Sequence, residues 1–194
     1  MAQPPLAVFS CVALLAMLVC SARAQDPADS YDHPAGNVNE LTLAGLRPGQ
    51  SRIAQAEALW GKQWHHPSRD EDDVYVWCDA RSHLQLSLEA TREGLIRVVT
   101  VSRMRPAPAA GGCTAVLGDG AAKTGRGVRL GDSPQRLKHV YGKPFFTGPS
   151  SWRGRDVNMV VFNFSWAGTS KPQILESSFA GGKLVKMTLS AEYY

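Results

Sequence analysis

Gly45-Leu46-Arg47-Pro48-Gly49-Gln50-Ser51 and Gly127-Val128-Arg129-Leu130-Gly131-Asp132-Ser133 decide the fold, because they align with one another without a gap. Each runs into a short helical stretch that ends in the same way, at Ala58-Leu59-Trp60-Gly61-Lys62 and at His139-Val140-Tyr141-Gly142-Lys143, the first stretch being longer by one residue. Further on, Gly94-Leu95-Ile96-Arg97-Val98-Val99-Thr100-Val101-Ser102 matches Gly182-Lys183-Leu184-Val185-Lys186-Met187-Thr188-Leu189-Ser190. Three anchors in the same order imply two tandem copies of one unit.

The chemistry of the anchors predicts what each unit contains. Ser51 and Ser133 stand where a helix N-cap is needed to accept bonds from orphan N–H groups, and Pro134 suits a first helical position. Gly61 and Gly142 supply the left-handed residue that closes a helix. Beyond each helix the apolar residues alternate. Val74, Val76 and Cys78 share one face, then Leu84, Leu86 and Leu88, then Val99 and Val101. The second unit offers Met159, Val161 and Asn163 or the opposite set, then Ile174, then Met187 and Leu189. Arg92-Glu93-Gly94 and Gly181-Gly182 are turns between the last two strands. The expected fold is therefore α+β: two repeats, each a short helix followed by three to four antiparallel strands, with both helices on one face of a shared or abutting sheet. The expected boundaries are 40–105 and 124–194 for the repeats, 106–123 for an Ala-, Gly- and Pro-rich linker, and 25–39 for a flexible N-terminal segment.

These anchors, G-x-S, a short helix, [WY]-G-K and a closing G-x-L-x-x-[VM]-T-[VL]-S, resemble the units of the β-lactamase-inhibitor-protein-like and SmpA/OmlA (BamE-like) families. The resemblance covers Thr42 to Ser102 and Thr124 to Ser190. It implies an exported, non-catalytic module that presents its sheet or its loops to another protein, and it transfers no binding residue. Members of the outer-membrane assembly branch are lipoproteins, whereas Val19 before Cys20 makes a poor lipidation signal here.

Export is expected from the N-terminus as well. Leu6 to Cys20 carry no charge and are followed by Ala22-Arg23-Ala24, an apolar core and a small-residue cleavage site that read as a signal peptide over 1–24. The apolar run is shorter than the ~20 residues of a membrane span. No Lys or Arg precedes it, so a membrane attachment is expected only if the segment stays uncleaved. A periplasmic or secreted chain without that segment keeps Cys78 and Cys113, and two thiols in an oxidising compartment predict one disulfide. The closed loop of about 36 residues corresponds to roughly 3–4 kcal/mol in the chain-entropy picture.

Charge is distributed unevenly. The chain carries +4 overall, but 25–105 hold 9 basic and 12 acidic residues while 106–194 hold 11 basic and 5 acidic. Such asymmetry suits either an anionic partner at the second half or attraction between the halves, and the second is favoured, because the basic residues are scattered singly and interleave with no aromatic RNA-binding motif, which argues against nucleic acid.

Enzyme and metal readings rest on two stretches. Gly131-Asp132-Ser133 resembles the start of a GDS(L) hydrolase motif, but its only downstream histidine is His139, on the same short helix, and the aligned first-unit triplet is Gly49-Gln50-Ser51. His65-His66 and Asp70-Glu71-Asp72-Asp73 gather possible cation ligands without any established metal spacing. No catalytic residue, metal or cofactor is expected; a small secreted hydrolase or a divalent-metal-binding protein stands as the alternative. The positive hint comes from Tyr75, Trp77, Phe162 and Phe164, which alternate with residues that already supply an apolar face. Either these rings lie on an open sheet face as binding anchors, or the segment from Val157 to Trp166 is buried on both faces.

Overall fold

The alternating segments form seven strands among the described residues: β1 (Asp73–Asp79), β2 (Leu84–Ala90), β3 (Ile96–Arg103), β4 (Phe146–Trp152), β5 (Arg155–Phe164), β6 (Gln173–Ala180) and β7 (Lys183–Ala191). Three helices accompany them, α1 (Ile53–Trp60), α2 (Gly118–Ala121) and α3 (Pro134–Tyr141). The computed structural model describes residues 41–62, 73–104, 115–164 and 172–191. The segments expected to be a signal peptide and a flexible N-terminus, together with Cys113, His65, His66 and 70–72, lie outside the described residues. No helix among the described residues is long and apolar enough to cross a membrane.

All strands join one antiparallel sheet in the order β1-β2-β3-β7-β6-β5-β4, an α+β architecture. Its register lays a continuous apolar layer across the strands. Trp77 faces Leu86, Leu86 faces Val101, Val101 faces Met187, and Leu189 faces Leu175, which faces Phe162. The helices pack on this layer through aromatic contacts. Trp60 meets Trp77 edge-on at 6.1 Å, and Tyr141 lies 5.5 Å from both Phe162 and Phe164.

That layer corrects the facing expected for β1. The core side of β1 carries Tyr75, Trp77 and Asp79, and Val74, Val76 and Cys78 point the other way. In β5 the set opposite to Met159, Val161 and Asn163 is the buried one. The physical reason is area. A ring removes roughly 150–250 Å² from water at roughly 25 cal/mol per Å², more than a valine offers, so when both faces of a strand are apolar the rings take the core.

Local geometry recurs along the chain. Gly49 N–H donates to Ile96 O at 2.8 Å, and Gly131 N–H donates to Leu184 O at 2.8 Å. Both glycines have left-handed φ values, 79° and 99°, which a side chain would strain. Register shifts fall between Glu89 and Ala90 in the β2–β3 hairpin and between Ser178 and Phe179 in the β6–β7 hairpin. Where β3 meets β7, Thr100 stands directly opposite Thr188, their hydroxyl oxygens 3.1 Å apart.

The helix starts differ. Ser133 caps α3, its Oγ accepting from Arg136 N–H at 3.2 Å, with Pro134 behind it. Ser51 does not cap α1, contrary to expectation: its Oγ accepts from Arg47 N–H at 3.0 Å within the preceding turn. Arg52 takes the N-cap position, and its N–H donates to Gln55 Oε1 at 3.0 Å. The extra residue of the first stretch is thus absorbed by the turn, and both helices run 8 residues.

Two elements were not expected. Strand β4, Phe-Thr-Gly-Pro-Ser-Ser-Trp, contains Pro149 and forms an outer edge of the sheet, where a missing N–H costs no ladder bond. Helix α2 lies within the stretch expected to be a linker, where Ala115, Leu117 and Ala121 are buried in the core. Asp79, at the end of β1, holds this segment. Its Oδ2 accepts from Leu117 N–H at 3.2 Å, and its Oδ1 accepts from Arg81 and Ser82 N–H.

Candidate functional site

The four aromatic residues singled out from the sequence do not form an open surface. Trp77 is 0% exposed, Phe162 2% and Phe164 3%. The Trp77 indole donates to Gly61 O at 2.9 Å, and Phe162 and Phe164 stack at 6.2 Å beneath Tyr141. These three rings pack the core, which corrects the reading of them as exposed anchors. Tyr75 is half-buried, 6.4 Å from Trp77. Burial, with the charges of Asp73 and Glu57, holds its phenol above the usual value.

The hydrolase and metal stretches fare differently. Ser133 Oγ is engaged with Arg136 N–H, and His139 lies exposed on α3. Among the described residues no three His, Cys, Asp or Glu side chains gather as a metal site. His65, His66 and 70–72 fall outside them.

The face of the sheet opposite the core has a different character. Across it from β2 to β6 run Ser87, Thr100, Ser102, Thr188 and Ser178, with Gln85, Lys186 and Glu176 standing among them. Apolar side chains flank this polar band: Val76 and Val98 on one side, Ile174, Val161 and Met159 on the other, all half-buried. No helix among the described residues contributes to this face; the buried helical residues belong to the cluster on the other side. At the β4 edge, Phe145 is 71% and Phe146 43% exposed. The Phe146 ring lies over Gly148, where a Cβ would come within 2.6 Å of it and the ring would have to move aside.

The hairpin that joins β4 to β5 reaches over one end of this face. Its turn residue Arg153 takes a left-handed φ of 51°, next to Gly154 at 70°. The Arg153 guanidinium lies 4.8 Å above the Trp152 ring. It donates to Gln85 Oε1 on β2 at 2.9 Å and to Arg103 O at the end of β3 at 3.4 Å. The tip of an edge hairpin thereby touches strands from the far side of the sheet. Beneath it is a cavity of about 100 Å³ lined by Trp152, Val157, Val185 and Ala180 together with Arg103, Arg153 and Arg155. The sequence signal for this feature was Trp-Arg-Gly-Arg, a turn flanked by charge, but nothing in a single strand reveals which distant strand a turn will reach.

A second hollow of about 290 Å³ lies on the helical side, between the end of α1 and the segment from Leu117 to Gly125, with Leu59 and Trp60 in its wall. Leu59 is 57% exposed there.

No family model matches the sequence, and no curated protein matches it. Two solved structures resemble the fold. One is YjgB, a DUF4309 family protein from Bacillus subtilis, at 13% identity and a TM-score of 0.45, covering 79% of this chain and 88% of that chain. The other is a candidate β-lactamase inhibitor protein from Streptococcus mutans, at 15% identity and a TM-score of 0.29, covering 79% of this chain and 90% of that chain. Likeness at this level transfers no residue and no activity.

Proposed function

We propose that this chain is an exported, non-enzymatic module that binds another protein through the face of its sheet that no helix among the described residues covers. The observation that carries the reading is the one-sided sheet: among the described residues the helices pack on one face, and half-buried Val76, Val98, Val161, Ile174 and Met159 flank a polar band of Ser, Thr, Gln85, Glu176 and Lys186 on the other. The half-buried aliphatic side chains offer apolar contact area, and the Ser, Thr, Gln85, Glu176 and Lys186 side chains between them offer hydrogen bonds to a partner.

The module is read as two copies of one unit. In favour stand the paired glycine turns, in which Gly49 N–H donates to Ile96 O and Gly131 N–H to Leu184 O, the matched register shifts, and the residues Thr100 and Thr188, aligned in the sequence and facing each other across β3 and β7. A duplicated strand meeting its own copy in antiparallel register is what a two-fold arrangement of repeats produces. Export is supported by the apolar leader and by the cysteines. Cys78 is disulfide-bonded, and Ala115 N–H donates to Cys78 O at 3.1 Å, which brings the chain two residues beyond Cys113 alongside Cys78. A Cys78–Cys113 bridge would fasten the connecting segment to β1.

The test uses the chain from Gln25 onward as bait on an envelope fraction, beside the same chain carrying Ser87→Arg on the open face. The expected result is a discrete protein captured by the first and lost with the second, both showing the same circular dichroism. Capture unchanged by Ser87→Arg, or hydrolysis of ester substrates abolished by Ser133→Ala, overturns the reading.

A further inference from the structure

We propose that the tip of the β4–β5 hairpin is a strap, fastened by Arg153, that opens as a unit while the rest of the sheet stays folded, and that the cavity beneath it is the space it closes. Three observations carry the inference. The first is register. β5 pairs with β6 from Phe164 back to Asn158, which stands opposite Phe179, whereas β4 and β5 pair with each other out to Trp152 and Arg155. Residues 150–157 therefore overhang the ladder as a two-stranded ribbon, an arrangement that is marginal by itself in water. Side chains hold this overhang against the rest of the sheet.

The second is reach. Arg153 donates to Gln85 Oε1 on β2 at 2.9 Å and, more weakly, to Arg103 O at 3.4 Å. Between β5 and β2 stand β6, β7 and β3. Those four spacings come to about 19 Å on a flat sheet, farther than an arginine, a glutamine and one hydrogen bond extend together. The overhang therefore leans across the end of the sheet, and the bond that holds it there is exposed to water. The third is backbone. Arg153 and Gly154 have φ values of 51° and 70°, positive at both central residues as a type I′ hairpin turn requires. Asparagine or aspartate before glycine suits that turn, and a long side chain in the left-handed region is uncommon. A residue at odds with its own backbone points to a task for its side chain, and the Arg153 guanidinium lies on Trp152 while it reaches the far strands.

Closed, the overhang roofs a cavity of about 100 Å³ with Trp152, Arg153 and Val157, over a floor of Ala180 and Val185. Val157 is 6% exposed there. Pro149 and Asn158 are the last β4–β5 pair backed by β6, so lifting the overhang about them bares the apolar floor and breaks no bond of the central strands. Local opening of this kind belongs to elements with few buried contacts and water-exposed hydrogen bonds. The strap stands apart from the reading of the open face as a binding surface, since it concerns how the hairpin is held and not what docks beside it.

The experiment follows amide hydrogen exchange in the isotope-labelled full chain with Arg153→Asn and Gln85→Ala, singly and together. Asparagine keeps the left-handed turn and removes the guanidinium. Each single variant is expected to speed exchange at Trp152, Arg155 and Val157 about ten-fold, with Phe162 and Leu175 unchanged and the double variant no faster than either single one. In a Val157→Cys background, alkylation of that thiol, read by mass spectrometry on its own peptide, is expected to accelerate by the same factor when Arg153→Asn is added. Unchanged or slower exchange at the tip with Arg153→Asn, the result for a residue that serves the turn alone, overturns the proposal. Effects of the two substitutions that multiply, or an acceleration spread evenly over the sheet, overturn it as well.

Discussion

The two halves of the sheet bury aromatic rings against a short helix, but they anchor the polar end of those rings in opposite directions. In the first half the ring belongs to a strand, and Trp77 donates to Gly61 O at the end of α1. In the second the anchoring ring belongs to the helix, and Tyr141 OH donates to Thr124 Oγ1 at 2.7 Å, the turn that leads into the unit. The strands end differently too: β1 closes on the carboxylate of Asp79, β5 on the ring of Phe164. One layer arrangement thus accepts either chemistry, provided that the buried polar atom finds a partner.

The sharpest way to break this comparison is to truncate the anchors. Trp77→Ala is expected to cost about 3–5 kcal/mol by chemical denaturation, more than Tyr141→Ala, because it opens the core and leaves the end of α1 untied. An equal cost from the two would erase the distinction between the halves. Asp79→Ala comes next, at roughly 1–3 kcal/mol, since Leu117 N–H loses its acceptor in a buried setting. Burial pushes the Asp79 carboxyl up, but the bonds from Ser82, Leu117 and Arg81 outweigh it and its native pKa lies below the usual value. Its stabilisation is therefore present above the unfolded aspartate value of about 3.9 and is lost as pH falls through the native one. Denaturation midpoints followed from neutral to acid pH should fall less steeply in Asp79→Asn. Tyr141→Phe, which removes one hydroxyl from a buried pair, is expected to cost about 1 kcal/mol. The smallest contrast is between helix starts: Ser133→Ala about 1 kcal/mol, Gln55→Ala a few tenths, both read from thermal midpoints.

Much of this architecture was legible because short-range chemistry specified it. Pro134, Gly61, Gly142 and the Gly181-Gly182 turn mark ends that depend on backbone geometry alone, and the leucines of β2 alternate against polar neighbours. The facing of β1 and β5 was not legible, since Val74 and Val76 compete with Tyr75 and Trp77, and only the finished register settles which set the helices cover. Strand β4 was missed because Gly148 and Pro149 argue against a strand everywhere except at an edge. The strap depends on Arg153 meeting Gln85, 68 positions earlier, and no local pattern carries that information.

Strand β7 is the last in sequence among the described strands and yet sits in the middle of the sheet, between β3 and β6. While the chain is being made or moved, the strands before it can pair only as two separate patches, each with a bare edge that invites pairing with a stranger. Residues 183–191 close both edges in one step. Folding of the whole sheet therefore waits on its final strand, and a chain shortened by those few residues is expected to aggregate rather than to lose a fraction of its stability.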